Sequence, residues 1–209
     1  MKPEATAKLW ETLRAHGPEE DEFFFQQYLG LHGWWNIAGG RSSYNIAKDP
    51  RLAGDCVEIG SFKGLSTLFT ALGAKKLGIK VFSIDPHPQS VADEFNRGER
   101  TYKALVENIH KFGFDDTIIP IIGKSEDVVK HWTGPIKYLL IDGEHTYEAV
   151  LKDQAWLQFV VPGGLALFDD SGPESGVKRA MSEIIDKSPD WEFSEHIYVK
   201  KGNFWWMNG

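Results

Sequence analysis

Acidic side chains follow two short apolar runs in the second half of the chain. Asp142 comes directly after residues 138–141, and Asp169 and Asp170 come directly after residues 165–168. If these runs are neighbouring strands of a parallel sheet, their ends lie about 5 Å apart and the three carboxylates converge. Carboxylates that close together repel one another unless a cation compensates, and oxygen ligands suit Mg²⁺, Mn²⁺ or Ca²⁺. The pattern predicts a metal site, unless Asp142 only orients a cofactor and the other two acids start a loop.

Two proton-accepting side chains, Glu144 and His145, stand next to this acidic group in the sequence. A carboxylate or an imidazole within hydrogen-bond reach of a reacting group can take its proton as a general base. We therefore count Glu144 and His145, together with Asp142, as candidate catalytic residues. For His145 the alternative is that its ring only holds the loop in place.

A glycine-containing loop follows the first apolar run, residues 56–59. Gly60 and Gly64 permit a tight turn and a close approach of a ligand to the backbone. The helix expected next would present its free N–H groups and the positive end of its dipole to that ligand, with Ser66 or Thr67 as its cap. The loop predicts a nucleotide site, although a plain strand-to-helix turn also favours glycine.

The second apolar run ends at Asp85, twenty-five positions after Gly60. A carboxylate at this place can accept hydrogen bonds from both hydroxyls of a ribose, as it does in NAD-binding folds. The alternative is a turn cap before Pro86. Together, the loop and Asp85 predict a nucleoside held at the ends of the first two strands.

Glu58 indicates which nucleoside this is. A dinucleotide fingerprint needs three glycines, whereas this loop has two, Gly60 and Gly64, with an acid before the first. The carboxylate of Glu58 would repel a pyrophosphate but attract, directly or through water, the ammonium group of an amino-acid moiety.

The elements that must position these residues alternate along the chain after Gly54. Apolar runs without polar alternation are typical of parallel strands buried on both faces, and alternating strands and helices indicate a doubly wound α/β sheet. The predicted strands are residues 56–59, 81–84, 118–122, 138–141 and 165–168. The predicted helices are residues 65–77, 101–112, 126–132, 147–159 and 177–185.

The two ends of the chain differ from this pattern. Residues 1–53 are predicted to form a helical extension, with two helices in residues 4–29 and a loop over residues 33–43, before a catalytic domain at 54–209. Near the C-terminus, residues 191–199 and 203–207 flank Lys200, Lys201 and Gly202, which predicts an antiparallel hairpin at the sheet edge.

Composition and charge indicate which classes of function and which location are expected. A net charge of -7 argues against a general affinity for nucleic acid, which favours a basic face. The one cysteine, Cys56, lies in an apolar run and is predicted to be buried, and no disulfide within the chain is possible. No signal peptide or membrane span is indicated, so a cytoplasmic location without a membrane partner is expected.

Four stretches, in this order, resemble the class I S-adenosylmethionine-dependent methyltransferases, closest to the Methyltransferase-24 kind. Related groups are the macrocin and aminocoumarin-sugar O-methyltransferases and the cephalosporin hydroxylase-like proteins. The resemblance extends from about Gly54 to the C-terminus. The stretches are residues 57–67, 83–87, 140–153 and 161–164 with Asp169 and Asp170.

The resemblance implies a mixed seven-stranded Rossmann-like sheet with a C-terminal antiparallel hairpin. It implies contacts to adenine from the residues after the third strand and a divalent metal at the acid cluster. The candidate cofactor-binding residues are Glu58, Gly60, Ser61, Gly64, Ser66, Asp85, His87, Gly123, Lys124, Ser125, Glu126 and Asp142. The catechol-type enzymes have Asn where this chain has Asp170, which favours the sugar-modifying branch. Those enzymes usually carry Asp where this chain has Glu144, which puts the base assignment in doubt.

We expect S-adenosylmethionine as cofactor, with Mg²⁺ or alternatively Mn²⁺ or Ca²⁺, and O-methylation of a small hydroxylated acceptor, a sugar or a phenol. The alternatives are a protein that binds S-adenosylmethionine without methyl transfer and a nicotinamide-dependent oxidoreductase.

Trp34 and Trp35 in the N-terminal extension are candidates for a cover over the acceptor or for a contact in a homo-oligomer.

Overall fold

The computed structural model describes residues 1–87, 100–194 and 197–202. One seven-stranded sheet has the order β3-β2-β1-β4-β5-β7-β6. Its strands are β1 (Asp55–Ile59), β2 (Val81–Asp85), β3 (Ile118–Ile122), β4 (Ile136–Ile141), β5 (Val160–Phe168), β6 (Trp191–Ser194) and β7 (Ile197–Lys200). The helices are α1 (Pro3–Arg14), α2 (Glu19–Tyr28), α3 (Ile37–Ala47), α4 (Leu65–Lys75), α5 (Thr101–Lys111), α6 (Ser125–Val128), α7 (Tyr147–Asp153) and α8 (Gly176–Asp186). The predicted fold class is confirmed.

The central strands are buried on both faces, as their uninterrupted apolar sequences require. Every residue of β4 is buried, and its side chains alternate between two cores. Tyr138 and Leu140 pack with helices α1 to α5, whereas Leu139 and Ile141 pack with α7 and α8. Strands β1 to β5 are parallel, so their carboxyl ends meet at one edge.

The N-terminal helices share the core of the sheet domain. Tyr28 of α2 contacts the ring of Phe69 on α4, with ring centroids 5.4 Å apart. The fully buried Lys137 of β4 donates from Nζ to the carbonyls of Ala47 and Asp49 at the end of α3, at 3.0 and 2.5 Å. The division into residues 1–53 and 54–209 stays a prediction, and the two parts have one common core.

The loop predicted over residues 33–43 is confirmed for residues 33–36 and wrong from Ile37 onward, where α3 begins. The side chain of Asn36 caps the helix by accepting from the amide of Gly39 at 2.9 Å. A Cβ on Gly40 would lie 2.5 Å from the ring of Phe69. The glycines therefore permit close helix packing instead of forming a loop.

The C-terminal antiparallel pair is confirmed at the sheet edge, but its strands are not the predicted ones. Strand β7 pairs with β5 on one side and with β6 on the other, both antiparallel. Residues 191–200 thus contain both strands of the pair, and residues 203–207 lie outside the described part. Two predicted helices are also shorter, since residues 129–131 and 154–159 form 3₁₀ turns.

Cys56 is fully buried, as predicted, and burial raises the pKa of its thiol to about 12.

Among the described residues, no helix combines the length and the apolar character that crossing a membrane requires.

Candidate active site

A cleft of about 1040 Å³ opens at the carboxyl ends of the parallel strands. It collects most of the residues that the sequence singled out. The predicted residues that line it are Gly60, Ser61, Ser66, Asp85, Lys124, Ser125, Glu126, Asp142, Glu144, His145, Asp169 and Asp170. The predicted residues that do not line it are Glu58, Gly64, His87 and Gly123.

The loop between β1 and α4 needs its glycines. Gly60 has a φ of +88°, and a Cβ there would lie 2.0 Å from the carbonyl oxygen of Asp142. Gly64, with a φ of +90°, is itself the residue that precedes α4, and no side chain caps this helix. The expected cap by Ser66 or Thr67 is therefore wrong, and the first amides of α4 are not satisfied by a cap side chain.

Asp85 fixes the loop from the end of β2. Its Oδ2 accepts from the amide of Phe62 at 2.9 Å, and its Oδ1 accepts from the amide of His87 at 2.7 Å. Each carboxylate oxygen can accept more than one hydrogen bond, so both retain capacity for a ligand. Asp85 thus lines the cleft with its position set by the backbone on both sides.

Glu58 is buried beneath the loop, with 1% of its surface exposed. Its Oε1 accepts from the hydroxyl of Ser66, a residue of the cleft wall, while its Oε2 has no hydrogen-bond partner among the described residues. Burial raises the pKa of Glu58 to about 8, against the lowering effect of the Ser66 hydrogen bond. A cation close to Oε2 would compensate this buried carboxylate.

His87 contacts the protein and not the cleft. Its Nδ1 lies 2.9 Å from the hydroxyl of Thr101 at the start of α5, and its ring lies beside Tyr102. Burial lowers the pKa of this imidazole. The position of His87 indicates that it anchors the start of α5. Its role in cofactor binding stays a prediction.

Asp142, His145 and Asp169 converge at the ends of β4 and β5. One potential ligand atom from each lies within 4.8 Å of the other two. Asp170 points elsewhere than predicted, since its Oδ2 lies 2.9 Å from Nδ1 of His145, while Nε2 of the same ring lies 3.1 Å from Oδ1 of Asp142. The structure therefore brings His145, in place of Asp170, to the converging group.

Electrostatics at this point favour a bound proton or a cation. The pKa of Asp142 is raised to about 7, mainly by burial and also by the charge of Asp169, against the lowering effect of the hydrogen bond with His145. The hydrogen bond to Asp142 raises the pKa of His145, with a further contribution from Asp170. In this geometry each ring nitrogen of His145 faces a carboxylate, so without a cation the ring donates to these acids and does not serve as a base.

Glu144 is exposed in the same loop, and its Oε1 accepts from the hydroxyl of Thr146 at 3.4 Å. Thr146 in turn caps α7 by accepting from the amide of Ala149. Glu144 lines the cleft without an ion pair to any described residue, which leaves its carboxylate available to a ligand.

The opposite end of the cleft carries one residue that the sequence did not single out for binding. Asp153 lies on α7, is 4% exposed and accepts from the hydroxyl of Ser125. Lys152 bridges from α7 to Glu126 at 3.1 Å. The sequence spacing could have indicated that Asp153 faces the cleft, because Ala149 and Asp153 are four positions apart and so share one face of α7.

Aromatic side chains form the outer wall near the glycine loop. Gly33, Trp34 and Trp35 line the cleft, and the ring of Trp34 lies 5.3 Å from that of Phe62. Trp34 remains 67% exposed. The N-terminal extension therefore reaches the cleft at the place expected of a cover.

Residues 57–171 match the family model Methyltransferase-24, described as a methyltransferase domain. The match covers more than half of the chain, so the chain belongs to this family. An uncharacterized protein of Acanthamoeba polyphaga mimivirus is 32% identical over 120 residues, which are 54% of this chain. That stretch spans 50% of the viral protein, so the chain covers about half the length of this relative.

Solved structures show the same fold at low sequence identity. The O-methyltransferase NovP is 16% identical with a TM-score of 0.69 over 95% of this chain and 98% of its own. TomG from Streptomyces achromogenes, an O-methyltransferase in complex with SAM, is 15% identical with a TM-score of 0.61, covering 97% and 92%. A SAH-bound methyltransferase from Podospora anserina is 16% identical with a TM-score of 0.63, covering 97% and 89%.

The predicted methyltransferase domain is confirmed by the family match over residues 57–171, and the solved structures agree with it in fold. The roles of single residues stay predictions, because the family model and the fold do not assign them.

Proposed function

We propose that this enzyme transfers the methyl group of S-adenosylmethionine to a hydroxyl of a small acceptor, with a divalent cation at the acid cluster. The observation that carries the proposal is the convergence of Asp142, His145 and Asp169 in the same cleft as the glycine loop. NovP and TomG, which share the fold, are O-methyltransferases.

The cofactor side of the cleft fits a sulfonium nucleoside with an amino-acid tail. Asp85 would hold the ribose hydroxyls, and the unpartnered Oε2 of Glu58 would attract the ammonium group from behind Ser66. Gly60, which lacks a side chain, lets the glycine loop pack directly against the backbone of Asp142. When bound, S-adenosylmethionine supplies the methyl group, and much of the rate then depends on how the cleft aligns it with the acceptor.

The donor set at the acid cluster fits a hard divalent cation. Two carboxylates and an imidazole offer ligand atoms within 4.8 Å of one another, and Asp170 is connected to them through His145. We retain Asp170 as a predicted ligand, although its side chain must turn from His145 to serve as one. A bound Mg²⁺ would lower the pKa of an acceptor hydroxyl at this point.

Glu144 is the side chain that we assign as general base. It is exposed in the cleft wall and close in sequence to the acid cluster, whereas both nitrogens of His145 face carboxylates. Glu144 would take the proton of the acceptor hydroxyl, while Trp34 and Trp35 shield that side of the cleft.

Two alternative functions have less support. A protein that binds S-adenosylmethionine without methyl transfer would not need the converging acids beside the cofactor loop. A nicotinamide-dependent oxidoreductase would need a loop that accepts a pyrophosphate, and Glu58 opposes one. A cytoplasmic location, a small-molecule acceptor, the lack of nucleic-acid and membrane partners and a homo-oligomer stay predictions.

The test is methyl transfer from labelled S-adenosylmethionine to a panel of phenols and sugars, before and after treatment with EDTA. EDTA should stop turnover, and Mg²⁺ or Mn²⁺ should restore it. Asp169→Asn should lose Mn²⁺ binding, measured by electron paramagnetic resonance, and most activity, yet retain cofactor affinity. Asp116→Asn, at an exposed acid before β3, is the matched control. Full activity of a metal-free preparation would contradict the metal role.

A further inference from the structure

Asp153 is a buried acid in the cleft wall for which the proposed reaction has no use. It stands at the end of α7, on the same helix face as Ala149, and both residues line the cleft. Its Oδ1 accepts from the hydroxyl of Ser125, the first residue of α6. Oδ2 makes no hydrogen bond with any residue that the structure describes.

The position of Asp153 follows from the way the chain leaves β3. The amide of Gly123 donates to the carbonyl of Asp85 at 3.2 Å, so the segment after β3 is tied to the end of β2. Ser125 follows two residues later and contacts Asp153. A nucleoside whose ribose lies at Asp85 therefore extends its base either toward Ser125 and Asp153 or toward the acid cluster, and the acid cluster is the site of the reaction.

The other acid at this end of the cleft is already paired. Glu126 accepts from Nζ of Lys152 at 3.1 Å, across the gap between α6 and α7. This ion pair flanks the Ser125–Asp153 contact and neutralises the charge of Glu126. Asp153 thus offers the acceptor oxygen that remains at this end.

We propose that Oδ2 of Asp153 accepts a hydrogen bond from the exocyclic amine of the adenine ring and so selects adenine over hypoxanthine. This inference rests on the proposed function, since it takes the cofactor to be S-adenosylmethionine. The hydroxyl of Ser125 fixes the carboxylate in the orientation that presents Oδ2 to the base.

The chemistry of this pairing is selective because the two purines differ in the group at position 6, next to an N1 that carries a proton only in hypoxanthine. Adenine carries an amino donor at position 6, whereas hypoxanthine carries a carbonyl acceptor there. A buried carboxylate stabilises the donor and repels the acceptor. Burial raises the pKa of Asp153 to about 6, against the effect of Ser125, so the carboxylate is ionised at pH 8.

The experiment compares two ligands that differ only in the base, S-adenosylhomocysteine and S-inosylhomocysteine, by calorimetry at pH 8. The wild-type protein should bind the adenosyl compound roughly tenfold to a hundredfold more tightly, the ratio expected for one hydrogen bond to a charged group. Asp153→Asn should reduce this ratio to below about threefold, because its amide can donate to the carbonyl of hypoxanthine. Glu148→Gln, at an exposed acid on the same helix, is the control and should preserve the wild-type ratio.

Each outcome decides the inference. Tight binding of S-adenosylhomocysteine without discrimination would overturn the role of Asp153 alone, and so would a folded Asp153→Asn variant with the wild-type ratio. If neither compound bound to the wild-type protein, the proposed cofactor itself would be wrong. If Asp153→Asn did not fold, as judged by circular dichroism, Asp153→Glu would replace it. That variant displaces the carboxylate by one methylene and should also narrow the ratio.

Discussion

The two sides of the cleft are built in different ways. On the cofactor side, the ligand-facing groups are backbone amides and side chains that the fold itself holds, such as Glu58 at 1% exposure and Ser66 at 6%. On the acceptor side, the corresponding groups are exposed, and the side chain of Asp170 is 69% accessible. Asp142 lies where the two sides meet, because its carbonyl faces Gly60 and its carboxylate faces His145.

This difference has a consequence for mutation. Changes on the cofactor side should damage folding and cofactor binding together, because one set of contacts serves both. Changes on the acceptor side should affect the reaction while the protein stays folded, because exposed side chains contribute little to stability. The side chains that decide the acceptor can therefore vary without loss of the fold.

The largest effect should come from Gly60→Ala. The new Cβ would meet the carbonyl of Asp142 at 2.0 Å, at a backbone φ of +88° that disfavours a side chain. We expect a loss of stability on the order of 3 kcal/mol and a loss of cofactor affinity of roughly a hundredfold. Urea unfolding and calorimetry with S-adenosylhomocysteine measure the two quantities.

Gly78→Ala is the matched control for this substitution. Gly78 also has a positive φ, +67°, but a Cβ there would meet nothing within 4 Å. It should cost about 1 kcal/mol of stability and leave cofactor affinity unchanged. If Gly60→Ala behaved like Gly78→Ala in both measurements, the close contact with Asp142 would not control the cofactor side.

An effect that is confined to a defined pH range should come from Glu58→Gln. The pKa of Glu58 rises from 4.5 to about 8 on folding, so between these values the folded protein holds a proton that the unfolded chain releases. Wild-type stability relative to Glu58→Gln should therefore fall as the pH rises from 5 to 8, by up to about 1.4 kcal/mol per pH unit. The glutamine retains an acceptor for the hydroxyl of Ser66.

Urea unfolding of both proteins at several pH values gives this difference directly. Saturating S-adenosylhomocysteine should flatten the pH dependence, because its ammonium group would stabilise the carboxylate of Glu58. A stability difference that did not change between pH 5 and pH 8 would show that Glu58 is not a buried titrating group. A slope that persisted with the ligand would place the ammonium group elsewhere.

The contrast between the two sides of the cleft also explains which parts of the structure could be predicted from the sequence. Buried parallel strands and the polar residues at their ends are visible as apolar runs followed by Gly60, Asp85 or Asp142, so the sheet and the site edge were predictable. Helix α3 was not, because Gly39 and Gly40 resemble loop residues until the ring of Phe69 is known to pack against them. Their function depends on a contact that is distant in sequence.

The acceptor side was harder to predict for the same physical reason. Asp170 pairs with His145 from a backbone with a φ of +49°, a left-handed conformation that the sequence does not reveal. The same holds at the opposite end of the cleft, where the contact between Ser125 and Asp153 joins residues that are twenty-eight positions apart. Spacing places residues at a strand end, but it does not determine which way each side chain turns there.

The smallest effect, and the most specific one, should come from Trp34→Ala on the acceptor side. Trp34 is exposed, lines the cleft and lies against Phe62, so it can stack on the ring of an acceptor. An aromatic contact of this kind contributes about 0.5–1.5 kcal/mol, so kcat/KM for an acceptor of the panel should fall roughly twofold to tenfold. Cofactor affinity and the free energy of unfolding should change little. A point substitution is preferable to a truncation, because Leu9, Leu13 and Tyr28 of the extension are fully buried.

Phe23→Ala is the matched control, because Phe23 is 61% exposed in the same extension but is not part of the cleft wall. If the two variants had equal kcat/KM, Trp34 would not belong to the acceptor site. The contact with Phe62 allows a different failure, in which Trp34 supports the glycine loop and its loss weakens S-adenosylhomocysteine binding. Calorimetry separates these cases, because a fall in cofactor affinity without a change in KM for the acceptor would move Trp34 to the cofactor side. The extension would then stabilise the cofactor loop and would not select the acceptor.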